Sequence, residues 1–228
     1  MQKRLLRKKD IELLLSQIEP HPSPKVRLEQ YTIPENVAAT ALYIAAYVFN
    51  DVVDKTVLDL GCGTGRLALG ARFLGAKQVV GIDIDKTAIK VAQKNSYKIG
   101  LKKAIQWIIA DIDMIQGRYD TVLMNPPFGI QNRKADRKFL KKALNVGKAI
   151  YSFHKHPNRK KRFMKNFRTT KHKILASYPS PFLKKYIENH GGEIKKVYSM
   201  LMKIPHMFKF HTKQKHEFIV DFYIITKT

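Results

Sequence analysis

Val57-Leu58-Asp59-Leu60-Gly61-Cys62-Gly63-Thr64-Gly65 reads as a strand running into a glycine-rich turn, with a helix beginning at Arg66. Glycines at such a turn let the backbone take positive φ and let a ligand approach closely. The spacing matches neither Gly-x-Gly-x-x-Gly, the dinucleotide fingerprint, nor the Gly-Lys-Ser/Thr of a phosphate loop, so the ligand need not carry a phosphate. Outward from this unit, strand and helix patterns alternate. Strands are expected at Thr56–Leu60, Gln78–Asp83, Ile105–Ala110, Thr121–Met124 and Ala149–Phe153, and helices at Arg66–Leu74, Thr87–Tyr97 and Lys138–Val146. Such alternation predicts an α/β fold with a mostly parallel sheet covered by helices on both faces.

Two further acids fall in register with the turn. Val79-Val80-Gly81-Ile82-Asp83 places a carboxylate at the end of the next strand, where nucleoside-binding sheets grip a pair of ribose hydroxyls. Asp111 ends the strand after that and is placed to accept from an adenine amino group. Both could instead cap the helices that follow, a role equally open to Asp85 and Asp113. Asn125-Pro126-Pro127-Phe128 then closes the apolar run Thr121–Met124. The prolines fix φ, so the Asn125 side-chain carbonyl and the Pro126 backbone carbonyl are held in place as acceptors, and Phe128 offers a face for stacking. Two acceptors and a ring suit an exocyclic amine on a base, or a side-chain amide. The plain alternative is a rigid turn leaving a strand.

The 228 residues suit one domain: residues 1–50 as N-terminal helices and a covering segment, residues 51–228 as a catalytic core. Ile11, Leu14, Leu15 and Ile18 share a helical face. Thr32-Ile33-Pro34-Glu35 looks like a capping box for a helix reaching about Phe49. After a helix at Phe182–Asn189, Glu193–Ile204 and Glu217–Thr226 read as an antiparallel pair closing one sheet edge. No apolar run approaches the length needed to span a bilayer. Cys62 is the single cysteine, which excludes an internal disulfide and suggests an intracellular, cytoplasmic protein. His206, His211 and His216 lack a carboxylate in tight spacing, so no metal is expected.

Taken in order, Asp59-Leu60-Gly61-Cys62-Gly63-Thr64-Gly65, Asp83, Asp111 and Asn125-Pro126-Pro127-Phe128 resemble the class I S-adenosylmethionine-dependent methyltransferases. That resemblance implies a Rossmann-like, seven-stranded sheet whose last strand is antiparallel. It also implies S-adenosylmethionine as cofactor, with contacts at Asp59, Gly61, Cys62, Gly63, Gly65, Asp83, Asp111 and Ile112. Leu28-Glu29-Gln30-Tyr31, Asn125-Pro126-Pro127-Phe128-Gly129, Tyr151-Ser152-Phe153-His154-Lys155 and Phe210-His211-Thr212-Lys213 are similar to the methyltransferase-like protein five family over nearly the whole chain. That family methylates N6 of an adenosine in small-subunit ribosomal RNA. Its Glu-Gln-Tyr segment folds over the cofactor, which implies a contact from Gln30. Its usual Pro-Thr after the tyrosine is Thr32-Ile33 here, so that contact is lost or passes to Thr32. A small zinc-binding activator protein is implied as a partner. A glutamine methyltransferase acting on a translation factor, a DNA methyltransferase and a non-catalytic RNA-binding assembly factor are the rival readings.

The charge points first to nucleic acid or a ribonucleoprotein and second to an anionic membrane surface. The formal net charge is +25, from 43 basic and 18 acidic residues, and a field of that sign attracts polyanions. Between Thr121 and Ile187 the only acid is Asp136, amid Arg133, Lys134, Arg137, Lys138, Lys155 and a run from Arg159 to Lys173. Tyr151, Phe153, Phe163 and Phe167 interleave with these, Phe153 being assigned to the core. Arg133, Lys134, His154 and Lys155 are candidate substrate contacts near the catalytic turn. RNA affinity should therefore fall steeply with salt as counterions are released; a flat titration from low to physiological salt would refute a phosphate-binding surface.

Overall fold

Apolar runs in the first two-thirds of the chain become parallel ladders. The computed structural model describes residues 6–101, 104–129, 134–157, 167, 174–205 and 215–228. In it, β1 (Thr56–Leu60), β2 (Gln78–Asp83), β3 (Gln106–Ile109), β4 (Tyr119–Met124) and β5 (Gly147–Lys155) run parallel. β6 (Ile174–Ala176), β7 (Gly192–Pro205) and β8 (Lys215–Lys227) complete the sheet through antiparallel pairings. The order is β3-β2-β1-β4-β5-β8-β7-β6.

Alternate strand residues face opposite sides and are buried on both. Val57, Val79 and Leu123 meet α1 (Lys8–Ser16), α2 (Glu35–Tyr43) and α3 (Arg66–Phe73), together with Ile11, Leu15 and Ile18 of the expected N-terminal stripe. Leu58, Val80, Val122 and Ile150 meet Leu140 and Leu144 of α5 (Ala135–Val146) and Leu183 and Ile187 of α6 (Pro181–Asn189). α4 (Lys86–Lys98) lies beside β2 and β3.

Three expectations need correction. The sheet has eight strands rather than seven, because Ile174-Leu175-Ala176 adds a short outer strand to β7; its three residues are too few to show a period. The antiparallel pair therefore does not close that edge. The Thr32–Glu35 capping box does not form: Pro34 is the cap of α2, without a side-chain bond, and Glu35 instead lies 3.5 Å from Arg66.

One ring fixes the fit between β2 and the glycine turn. Trp107 donates Nε1–H to Ser96 Oγ at 3.2 Å, and its ring fills the space where side chains at Gly65 and Gly81 would stand. A Cβ at Gly81 would come within 2.5 Å of that ring. Gly81→Ala should thus destabilise the fold by about 1–3 kcal/mol, the usual range for overpacking. The urea midpoint and the emission of Trp107, the only tryptophan, would report it, and an unmoved midpoint would mean that the ring gives way freely.

Candidate active site

β1 and β4 are neighbours whose connections leave in opposite directions, and ligands of open α/β sheets bind outside the carboxyl ends of strands at such a switch point. There a cavity of about 310 Å³ is walled by the glycine turn, the ends of β1, β2 and β4, the first turn of α5 and the segment preceding α2. Gly61, Gly63 and Gly65 all take positive φ (75°, 54° and 87°). A Cβ at Gly63 would meet nothing within 4 Å, so the turn offers its backbone to whatever fills the cavity.

The acids divide by environment. Asp59 is buried and accepts from the Ala68 N–H at 2.8 Å, one of the donors a helix start leaves unpaired. Burial, assisted by the nearby charge of Asp83, holds its carboxyl up at about 7 despite that bond. Asp83 accepts from Gly63 N–H and Asp85 N–H, both at 2.8 Å, and burial raises its pKa too. The cap of α4 is Asp85, which accepts from Thr87 N–H at 3.0 Å and leaves Asp83 to the cavity. Asp111 does cap the short turn Ile112–Met114, and the Asp113 N–H and Lys138 Nζ draw its pKa down.

Asn125 lies in the cavity wall beside Pro127, and its Oδ1 is buried with no hydrogen-bond partner. An orphaned buried acceptor costs about 1–3 kcal/mol unless a ligand supplies the donor. Pro126 is buried behind the wall. Phe128 is half-buried and meets Phe218 edge-to-face at 5.9 Å.

Residues 17–34 form a strap across the cavity. Arg66 donates to the carbonyls of Ile33 (2.6 Å) and Ile18 (3.3 Å), and Asn95 pairs with the backbone of Glu19. Asp85 receives Gln30 Nε2 at 2.8 Å and Lys25 Nζ at 3.1 Å, with His21 Nε2 at 3.3 Å. Burial pushes its carboxyl up, but the donors from Gln30, Thr87 and Lys25 win and hold it at about 2. Glu29, a buried non-glycine residue at φ 50°, accepts the Phe128 N–H at 2.7 Å and so joins the strap to the Asn-Pro-Pro-Phe turn.

The cavity thus brings together Gln30, Asp59, Gly61, Cys62, Gly63, Asp83, Asp111, Ile112, Asn125 and Pro127. Gln30 spends its amide on Asp85 and the Lys25 N–H. Thr32 and Ile33 both reach the lining, and Gly65 stands outside it against Trp107. Lys134 is exposed as the cap of α5, and Lys155 is half-buried at the end of β5. His154 is corrected: it is buried, bonded to Ser152 Oγ at 2.8 Å, and burial lowers its pKa to about 3, so it has no face for substrate. Tyr151, Phe153 and Phe167 are likewise core. Arg133, Phe163, His206 and His211 lie outside the described residues, as do the side chain of His216 and the cations from Arg159 to Lys173. Sequence reasoning missed His21 and Arg66, whose partners stand far off in the chain; it named Asp85 as a cap only, and it attached no bond to Glu29.

The family Ribosomal protein L11 methyltransferase (PrmA) matches residues 38–126, the cofactor half of the sheet. A solved structure of PH1948, a candidate RNA methyltransferase from Pyrococcus horikoshii, superposes with a TM-score of 0.81 at 35% identity over 98% of both chains. MJ0284 of Methanocaldococcus jannaschii is 36% identical over 98% of this chain and 95% of its own. The Danio rerio rRNA N(6)-adenosine-methyltransferase METTL5 is 31% identical over 96% of this chain and 99% of its own. The chain belongs to the METTL5 family. METTL5 proteins are class I methyltransferases, and the cofactor is S-adenosylmethionine. The residues fit it: the buried Asp59 and half-buried Asp83 suit a ligand that carries ribose hydroxyls and cationic groups, and Gly63 leaves room for its approach.

Linkage gives a test of the buried acid. The folded-state pKa of Asp59, about 7, lies above the usual value near 3.9, so folding takes up a proton between the two. Its contribution to stability is fully present below about pH 4 and is lost as pH rises through about 7. Asp59→Asn cannot titrate, so melting midpoints without cofactor should shift in favour of the variant between pH 5 and 8. A constant difference would place the folded-state pKa of Asp59 below that window.

Proposed function

We propose that this METTL5-family chain methylates the N6 amino nitrogen of an adenosine in RNA, with small-subunit ribosomal RNA as the substrate. The orphaned Oδ1 of Asn125 carries the reading. It is an acceptor built into the wall of the cofactor cavity at a strand end, and an exocyclic amine is the donor that satisfies it.

Gln30, Asp59, Gly61, Cys62, Gly63, Asp83, Asp111 and Ile112 would hold the cofactor, with Gly65 shaping the turn. When bound, S-adenosylmethionine supplies an activated methyl group on a sulfonium. The adenine amine is a poor nucleophile because its lone pair feeds the ring, so the remaining task is alignment. Alignment alone yields effective molarities of about 10⁵ M or more. Asn125 Oδ1 and the Pro126 carbonyl accept hydrogen bonds from the two amino N–H groups and fix the direction of the nitrogen lone pair. As the nitrogen gains positive charge, both acceptors bind it more strongly than the ground state. Pro127 keeps the turn rigid, and Phe128 stacks on the base. The Glu29 carboxylate, holding the Phe128 N–H, sets the distance between that turn and the strap. Lys134, Lys155 and Arg133 would take backbone phosphates.

We also assign a small zinc-binding activator as partner and the cytoplasm as compartment. Apolar surface at the end of edge strand β3 supports the partner: Ile84, Ile109 and Met114 are exposed there. No helix among the described residues is long and apolar enough to cross a membrane.

Transfer of labelled methyl to purified 30S subunits, followed by nucleoside digestion, tests the reaction. Label should appear in N6-methyladenosine. Asn125→Ala should lower turnover by about 100-fold or more, the scale of losing one oriented transition-state contact, with cofactor affinity retained. Near-normal turnover would reduce Asn125 to a cap, and label in protein would favour the glutamine reading.

A further inference from the structure

The aromatic side chains interleaved with the basic stretch are buried wherever they are described, but a different set is not. Tyr178 is 91% and Phe182 50% exposed. Phe182 begins an ordered column on α6. The Arg137 guanidinium lies 4.5 Å from the Phe182 ring centroid. Phe182 and Tyr186 stack at 6.2 Å and 28°, and Tyr186 and His190 at 4.3 Å and 30°. Residues four apart share one helix face. The adjoining face buries Leu183 and Ile187, with Tyr186 half-buried against the same core, while Phe182 stays exposed.

The column is preorganised and cationic. Tyr186 Oη donates to the Arg137 carbonyl at 3.1 Å, and His190 Nδ1 donates to the Tyr186 carbonyl at 2.8 Å. Arg137 Nε is buried without a hydrogen-bond partner. Lys134, Lys141 and Lys185 are exposed on the same two helices. Of the acids here, Asp136 is half-buried, and Glu188 is 3.9 Å from Lys184. The position is also telling: Arg137 sits in the first turn of α5, whose Ala135, Lys138 and Phe139 line the cofactor cavity.

We propose that Tyr178 and the Arg137–Phe182–Tyr186–His190 column form a stacking platform for unpaired RNA nucleotides flanking the target adenosine. The assignment rests on the RNA reading above. Bases stack on aromatic faces and guanidinium planes, while phosphates take the lysines, and this combination fits single-stranded nucleic acid. A flipped adenosine needs neighbours held out of their own stack, and a platform beside the cavity does that.

The test is fluorescence anisotropy of a labelled, unstructured RNA of about 12 nucleotides, within the usual span of such sites, on the full chain. The double variant Tyr178→Ala, Phe182→Ala should bind about 10- to 100-fold more weakly, as loss of stacked bases predicts. Phe182→Trp should restore most of that loss. Cofactor affinity and melting midpoint should hold in both variants, because the replaced rings are exposed. Equal affinity of wild type and double variant overturns the platform and gives this face to a protein partner. Absence of binding by the wild type overturns it as well. Failure of the wild type to methylate any RNA would sink the reaction reading alone, since the affinity comparison still decides the platform.

Discussion

Asp59, buried, and Asp83, half-buried, stand at the ends of adjacent strands, and the charge of Asp83 raises the free energy of an ionised Asp59. Much of the local architecture answers to that constraint. Asp59 takes its donor from the start of α3, which can begin there only because the glycine turn bends the chain back over β1. Asp83 takes donors from that same turn and from Asp85. The register that sets Asp59 opposite Gly81 also creates the notch for Trp107. Two crowded carboxylates are a poor bargain in an empty pocket and a good one beside a ligand with cationic groups and hydroxyl donors.

The strap answers to the neighbouring carboxylate. Asp85 is buried but surrounded by side-chain donors, so hydrogen bonds lower its pKa while burial raises that of Asp83. One side of the turn after β2 thus faces the cavity and the other fastens the strap. Arg66 completes the fastening from beneath, giving its guanidinium to backbone carbonyls at both ends of the strap.

How much of this could be read in advance depended on range. β1 and β2 were found to the residue, because a fully buried parallel strand bounded by glycine and acid has a local signal. The start of α5 was placed late, since Asp136 and Arg137 in its first turn carry no apolar period. The acids and Asn125 were legible as chemistry at strand ends. The unpaired state of Asn125 Oδ1 was not, because it depends on what every neighbour fails to offer. Glu29, His21 and Arg66 owe their roles to partners brought near only by the fold. His154 misled for a related reason: next to Lys155 at a strand end it reads as a surface base, but the pleat turns it inward against Ser152 and Tyr223. Tyr151 and Phe153, set among cations, belong to the sheet, and the exposed Phe182 stands on a helix that was read only for its bounds, with Tyr178 in the segment before it.

The fastening of the strap has a consequence for how the protein is made. Glu29 and the Phe128 N–H it binds are separated by 99 positions in the chain. At about 5–20 residues per second of synthesis, the strap leaves the ribosome several seconds before the turn that receives it. During that interval Asp85 is also absent for part of the time, being 55 positions beyond Gln30. The lid is therefore the first part of the pocket to be born and the last to be seated. A nascent chain holds no closed cofactor chamber until β4 and its Asn-Pro-Pro-Phe turn have emerged, which orders assembly of the enzyme along its own sequence.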